Sequence, residues 1–426
     1  MKKGLMLGVV ALFLIVICTP DKSDAVPSYA RQVQKPCTAC HTIWPNLNQY
    51  GRQFKVKAYT DVSEKWEMIN KDNMNFMTIL PVSGRVLFFP EITNDTGPSS
   101  TELDQVALFL AGRLYDYAGV FASAEFSPDD GAFGLPTVKV AFQYPLDKGN
   151  SIGLVAFKGL AASADPFNSL GGRDRDLAWG DESKPFVLRA GWTLNFWNED
   201  NLGYAAHGYF IGNRLYAAVG AMRGGKADDP SSGAFANSDT TDPYDMFYRV
   251  AWDQKLPNGA VTAGIGYYDG KQRFSSGPDF DLTNAFDSKV KRTYVDLSLE
   301  QNFGEDHMVE LQALYGSGKE TNVFGGDEER KFDGFYIQGS YFYDRMIGLV
   351  VSQNDITFKD ALATDNAISP SFGVDKVTST LVSLNYLPWL NTKVALQYVT
   401  TKTTFIEEVE PDVTDKITRV VMDILF

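Results

Sequence analysis

The sequence predicts an all-β protein: a transmembrane antiparallel β-barrel of about 16 strands, with a small N-terminal segment plugging its lumen. Short stretches of alternating polarity recur from about residue 75 onward, and the chain closes on such a stretch ending in Phe426. The connections between stretches alternate between short and long, as they do in outer-membrane barrels. A length of 426 residues would otherwise suggest two or three domains, but barrels run long as single units. A formal charge of −14 argues against nucleic acid as a partner.

The first element is a leader. Lys2 and Lys3 precede an apolar run from Leu5 to Ile17, and Ser23-Asp24-Ala25 offers a small-x-small cleavage site before Val26. The run is too short to span a bilayer comfortably. Cys18 follows Ile17, whereas lipid attachment needs a small side chain at that place. Residues 1–25 therefore read as a signal peptide for Sec export. No later stretch reads as a transmembrane helix.

The second element, residues 26–74, carries Cys37-Thr38-Ala39-Cys40-His41. This is the attachment pattern of a c-type haem. Two thiols separated by two residues can form thioethers to the two vinyl groups of one haem, and the adjacent imidazole then meets the iron. A zinc site needs four ligands, and no second Cys/His cluster completes one. A thioredoxin-like pair needs a βαβ context that is missing here. A disulfide across two residues would be strained. The segment thus reads as a mono-haem cytochrome c segment, with Cys37 and Cys40 holding the haem and His41 as proximal iron ligand.

A second axial ligand is usual where the task is electron transfer, and methionine raises the potential. The near candidates are Met68, Met74 and Met77, with Met68 and Met74 preferred; packing at the barrel mouth is the alternative role for each. His207 and His307 lie far along the chain in strand-like sequence.

The third element, 75–426, is the barrel. Val295, Leu297 and Leu299 alternate with Asp296, Ser298 and Glu300; Val309, Leu311 and Ala313 alternate with Glu310, Gln312 and Leu314. Phe335, Ile337 and Tyr341 alternate with Tyr336, Gln338 and Ser340. Strand side chains have period two, so each stretch has one apolar and one polar face. In a membrane barrel the apolar face meets lipid. The last stretch puts Val420, Met422, Ile424 and Phe426 on one face and Arg419 and Asp423 on the other, resembling the closing strand of outer-membrane barrels.

Candidate strands fall at 76–89, 104–115, 117–127, 137–145, 151–157, 201–211, 213–223 and 245–254. Eight more fall at 260–268, 291–302, 307–316, 332–343, 345–355, 377–387, 392–400 and 416–426. Sixteen is even, as bacterial barrels require. Short links near residues 115–117, 212–213, 257–259 and 344 alternate with long loops at 158–184, 224–244, 269–290 and 356–376. Counting 185–197 as a strand would break that alternation, so it is assigned to a large outer loop. A lumen of this width holds water or a plug.

Residues 28–59 read SYARQVQKPCTACHTIWPNLNQYGRQFKVKAY. This stretch resembles the N-terminal segment of the fused outer-membrane cytochrome–porins of iron-oxidising bacteria. In that family one CxxCH precedes an aromatic-Pro-x-Leu run and a Gly-Arg-x-Phe-Lys run, here Trp44-Pro45-Asn46-Leu47 and Gly51-Arg52-Gln53-Phe54-Lys55. The resemblance implies one covalent haem c on Cys37, Cys40 and His41, and passage of electrons from an extracellular donor, Fe(II) foremost. A periplasmic c-type cytochrome or copper protein would accept them, and outer-membrane lipid would surround the barrel. The chain would then act as an Fe(II) oxidase in the electron-transfer sense. Two alternatives stay open: a small-solute porin with a haem-bearing plug, and an outward conduit to extracellular acceptors. Asp129-Asp130, Asp174, Asp176, Asp228-Asp229 and Asp327-Glu328-Glu329 are expected in outer loops, as iron ligands or as solvating charge.

Overall fold

In the computed structural model the described residues are 27–43, 46–61, 68–71, 74–77, 81–94, 101–127, 132–158, 202–223, 245–274, 286–321, 329–359, 374–389, 391–405 and 411–426. The N-terminal part contains helix α1 (Pro27–Val33), a 3-10 turn (Cys37–Ala39), a small β1 (His41–Ile43) and β2 (Asn46–Leu47) pair, and helix α2 (Gln49–Val56). A hairpin of β3 (Met68–Lys71) and β4 (Met74–Met77) follows. The leader at residues 1–25 lies outside the described residues.

The wall begins with β5 (Val82–Asn94), β6 (Thr101–Tyr115), β7 (Ala118–Ser127), β8 (Ala132–Pro145) and β9 (Ser151–Lys158). It continues with β10 (Leu202–Phe210), β11 (Leu215–Arg223), β12 (Asp245–Leu256), β13 (Gly259–Phe274), β14 (Phe286–Phe303) and β15 (His307–Thr321). It ends with β16 (Glu329–Tyr343), β17 (Ile347–Lys359), β18 (Val374–Trp389), β19 (Thr392–Phe405) and β20 (Val413–Leu425). These 16 strands pair antiparallel in sequence order, and β20 pairs with β5 to close the barrel. Closure satisfies every sheet edge, which lipid could not do.

Each of the sixteen expected strands has its counterpart, with one shift at the start. The first was expected at 76–89 and runs from Val82 to Asn94. Residues 76 and 77 belong instead to β4, because the apolar run there pairs with β3 rather than with the wall. Strands β9 and β10 pair directly, Lys158 opposite Leu202, so nothing from 159–201 stands between them in the wall. The stretch 185–197 itself lies outside the described residues.

The barrel is inside-out relative to a soluble one. Val295, Leu297, Leu311, Tyr315, Ile337, Tyr341, Ile424 and Phe426 are exposed, while Ser298, Glu300, Glu310, Gln312, Gln338, Ser340, Arg419 and Asp423 are buried. A sandwich would bury the first set. Only a surface bathed in lipid favours this inversion. From Phe335 to Tyr343, two tyrosine- and phenylalanine-rich levels enclose an apolar band about 20 Å tall, from the rise per residue and the usual tilt.

Seven short connections cluster at one end, and the eight longer connections join the strands at the other. Several wall turns use left-handed backbone: in the 344–346 turn both Asp344 and Arg345 have positive φ, 49° and 53°. That conformation matches the twist of the flanking strands. Bacterial barrels turn their short connections to the periplasm.

Candidate functional site

The Cys-x-x-Cys-His turn is built by its own backbone and by Asn48. The Cys40 N–H donates to the Cys37 carbonyl at 3.0 Å, and the Ala39 N–H to that of Pro36 at 2.9 Å. Asn48 then ties the turn to the following helix. Its Nδ2 donates to the carbonyls of Thr38 (3.2 Å) and Ala39 (3.0 Å), while its Oδ1 accepts from the Gly51 N–H at 2.9 Å as the N-cap of α2. An N-cap of this type satisfies one of the helix's orphan donors.

Gly51 makes the close packing possible. A Cβ at this position would lie 2.1 Å from the Cys40 carbonyl oxygen, so α2 crosses the cysteine turn at backbone contact. Further along α2, Phe54 packs edge-on to Tyr29 with ring centroids 5.4 Å apart, and Tyr29 stacks on Tyr59 at 4.6 Å. Val33 and Phe121 of the wall complete this small core.

The described residues 27–43 and 46–61 sit inside the short-turn mouth of the barrel, and we refer to them as the plug. Its contacts run round most of the wall. Arg31 donates to the Val82 carbonyl at 2.6 Å, and Gln32 bridges the Ala111 carbonyl (2.9 Å) and the Arg113 N–H (3.1 Å). A Cβ on Gly119 would lie 1.9 Å from the Ala58 carbonyl oxygen, and the Lys139 ammonium lies 5.2 Å from the Tyr59 ring centroid. Thr42 donates to Glu310 at 3.1 Å on the opposite side, and Arg345 reaches the Thr38 carbonyl at 3.4 Å. Every wall partner is within a few residues of a short turn or, for Val82, at the start of the first wall strand.

Arg52 is the centre of the seat, with 1% of its side chain exposed. It ion-pairs with Glu300, meets Asp253 at 3.3 Å, and donates to Thr262 Oγ1 at 3.0 Å and the Leu47 carbonyl at 2.8 Å. Burial by itself would lower its pKa; Glu300 and then Asp253 outweigh that and hold the guanidinium above its usual value. A buried charge persists only when paired in this way. In the sequence Arg52 stands out only within the Gly-Arg-x-Phe-Lys run and Asn48 not at all; the Arg52 partners appear only once the wall is in place, and those of Asn48 only once α2 packs on the cysteine turn.

Cys37 and Cys40 are not joined in a disulfide; Cys37 is buried and Cys40 half-buried. Burial first, then the Cys37 sulfur beside it, pushes the Cys40 thiol up to about 12, so it is protonated at neutral pH. Among the described residues no three His, Cys, Asp or Glu side chains are grouped as a metal site. The donors do fit a covalently attached haem: two unbridged thiols on one fixed turn, with an imidazole next in sequence. In the β3–β4 hairpin Met68 is paired with Met77 and Met74 with Lys71.

The two remaining histidines are elsewhere. His207 is buried on β10, opposite Gly153 and Ala218. His307 is on the exterior, with Nδ1 2.8 Å from the Tyr341 hydroxyl. Three of the inward charges have these partners: Asp296 pairs with Arg249, Asp423 with Arg85 at 2.8 Å, and Arg419 donates to Gln397 at 3.1 Å. Of the acidic loop residues, Asp129, Asp130, Asp174, Asp176, Asp228, Asp229, Asp327 and Glu328 lie outside the described residues. Glu329 begins β16 and pairs with Lys319 and Lys331, so it is a strand ion-pair partner rather than an open loop ligand.

No protein-family model matches the sequence, and no curated protein matches it. Among solved structures, the in-vitro folded OmpT, an outer membrane protein of Vibrio cholerae, aligns at TM-score 0.50 and 11% identity, covering 84% of this chain and 100% of that one. The fold is an outer-membrane porin-type barrel. The anion-selective porin from Comamonas acidovorans aligns at TM-score 0.48 and 12% identity, over 81% of this chain and 98% of that one. A barrel of this type belongs in a Gram-negative outer membrane, with lipid around it. OmpT is fully covered while part of this chain is left over.

Proposed function

We propose that this chain is a haem-bearing electron-exchange barrel, taking electrons from an extracellular donor, Fe(II) foremost, and delivering them to a periplasmic c-type cytochrome or copper protein. The observation that carries this reading is the seat of the cysteine turn: no disulfide bridges Cys37 and Cys40, and the turn is clamped by Asn48 and Gly51 inside the short-turn mouth. Cys37 and Cys40 would hold haem c through thioethers, and His41 would ligate its iron. When bound, the group supplies a reversible one-electron couple whose potential depends on axial ligand and burial.

The chain's own residues divide the remaining work. Arg52, Glu300 and Asp253 hold the plug at the periplasmic side of the wall. An acceptor in the periplasm would therefore meet the plug at the mouth, and a donor from outside would enter along the polar lumen. Residues 1–25 would direct export by the Sec pathway.

The barrel fold and its polar inner wall favour a second reading, a solute porin whose N-terminal segment serves as plug. An outward conduit would use the same parts with the opposite potential order. The test is direct. Protein purified from a host with c-type maturation should carry one covalent haem by pyridine haemochrome, absent from Cys37→Ala, and Fe(II) should reduce it in stopped flow. Protein without covalent haem overturns the first reading, and a large steady conductance in planar bilayers then establishes the second. A haem that stays oxidised under excess Fe(II) removes iron as donor.

A further inference from the structure

The outer rim of the wall carries an arrangement that the plug does not use. The register sets Lys291 of β14 opposite Lys319 of β15, Lys319 opposite Lys331 of β16, and Lys331 opposite Lys359 of β17. Four lysines thus form one rung across four adjacent strands, all on the outward face and between 46% and 60% exposed. Like charges directly opposite one another destabilise a sheet. Three consecutive lysine pairs therefore call for compensation.

Carboxylates supply part of it. Asp269 lies 3.4 Å from Lys291, Glu329 lies 3.1 Å from Lys331 and also pairs with Lys319, and Asp333 pairs with Lys359. Among the described residues four cations here meet three carboxylates, a local excess of positive charge on a chain whose formal charge is −14. The lysines rim a shallow outward basin of about 390 Å³, shared with Tyr267 and Tyr315.

Height decides what can fill it. The rung lies at the long-connection end, four residues beyond Val295, the start of the exposed apolar run on β14. That offset is about 10 Å along the barrel axis. Below it the outward positions turn apolar and aromatic, with Tyr315, Leu297 and Ile337 exposed. An occupant must therefore combine an anionic head at the rung with an apolar body against the band below, which a free anion lacks.

We infer that this basin binds a phosphate-bearing lipid headgroup of the outer leaflet, with the four lysines on its phosphates and Tyr267 and Tyr315 beside the start of its acyl region. Long lysines at the membrane edge attract anionic lipid by charge. The site is independent of the cysteine turn and stands whether or not the plug carries haem.

Native mass spectrometry of the detergent-purified protein, mixed with lipid A or with the same lipid stripped of its phosphates, tests this. Lipid A should bind the unaltered protein about tenfold or more tightly than the dephosphorylated lipid. The Lys291→Gln, Lys319→Gln, Lys331→Gln, Lys359→Gln variant should lose that preference, and the matching four-Arg variant should keep it. Equal binding of the two lipids to the unaltered protein overturns the inference even if the Gln variant fails to fold. An undiminished preference in a folded Gln variant overturns it as well.

Discussion

Arg52 and Glu300 are 248 positions apart in the chain and form a buried ion pair inside the short-turn mouth. With Asp253 and Thr262, the pair fastens α2, the helix that meets the cysteine turn at backbone distance, to the wall through strands β12, β13 and β14.

Replacing Arg52 by Met removes the cation and leaves two carboxylates buried, which costs about 3–5 kcal/mol by analogy with other buried pairs. The barrel itself should persist, because its strands pair without the plug. The expected outcome is a plug that becomes accessible to protease and a higher bilayer conductance than the unaltered protein. A variant with unchanged protease resistance would show that the seat does not depend on this pair.

Gly51→Ala puts a methyl group 2.1 Å from the Cys40 carbonyl oxygen. Overpacking of this kind costs about 1–3 kcal/mol and moves the helix off the turn. Cells producing this variant should yield folded barrel with less covalent haem per chain, read by haem stain against total protein.

The Cys40 thiol, raised from 9.0 to about 12 by burial and by Cys37, gives a pH signature in the haem-free protein. Below pH 9 the thiol is protonated both folded and unfolded, and its contribution to stability is complete. Between pH 9 and about 12 the unfolded chain gives up this proton first, so the contribution is lost as pH rises. Alkylation of Cys40 by iodoacetamide in a Cys37→Ala background, which leaves burial, the largest cause, in place, should still show an apparent pKa above 9. A midpoint at the ordinary thiol value would mean that the turn is open to water.

Met68 and Met74 stand on different strands and at different rungs of one hairpin, and a single haem takes one distal ligand. Spectra of the reduced protein should change for Met68→Ala or for Met74→Ala, not for both. Changes in both would mean that the hairpin opens when haem is attached.

Much of the architecture was legible because a membrane barrel is a local code. Alternation at period two fixes which residues of β14, β15, β16 and β20 face lipid, and Val295, Leu311, Ile337 and Ile424 need no tertiary information to be assigned outward. The start of the wall was not legible, since the run at 74–77 alternates as well as a wall strand does and only its pairing with 68–71 removes it from the barrel.

The sequence by itself determined the strand count, the faces, and a cysteine-histidine motif whose spacing names its chemistry. Tertiary structure decided where that motif sits. The partners of the plug, Val82, Ala111, Gln143, Asp253, Glu300, Glu310 and Arg345, are scattered over more than 250 positions and share only a height at the short-turn end. No periodicity encodes that ring. It exists because closing sixteen tilted strands brings their ends to one rim, and a buried guanidinium there is stable only beside the carboxylates that the closure delivers.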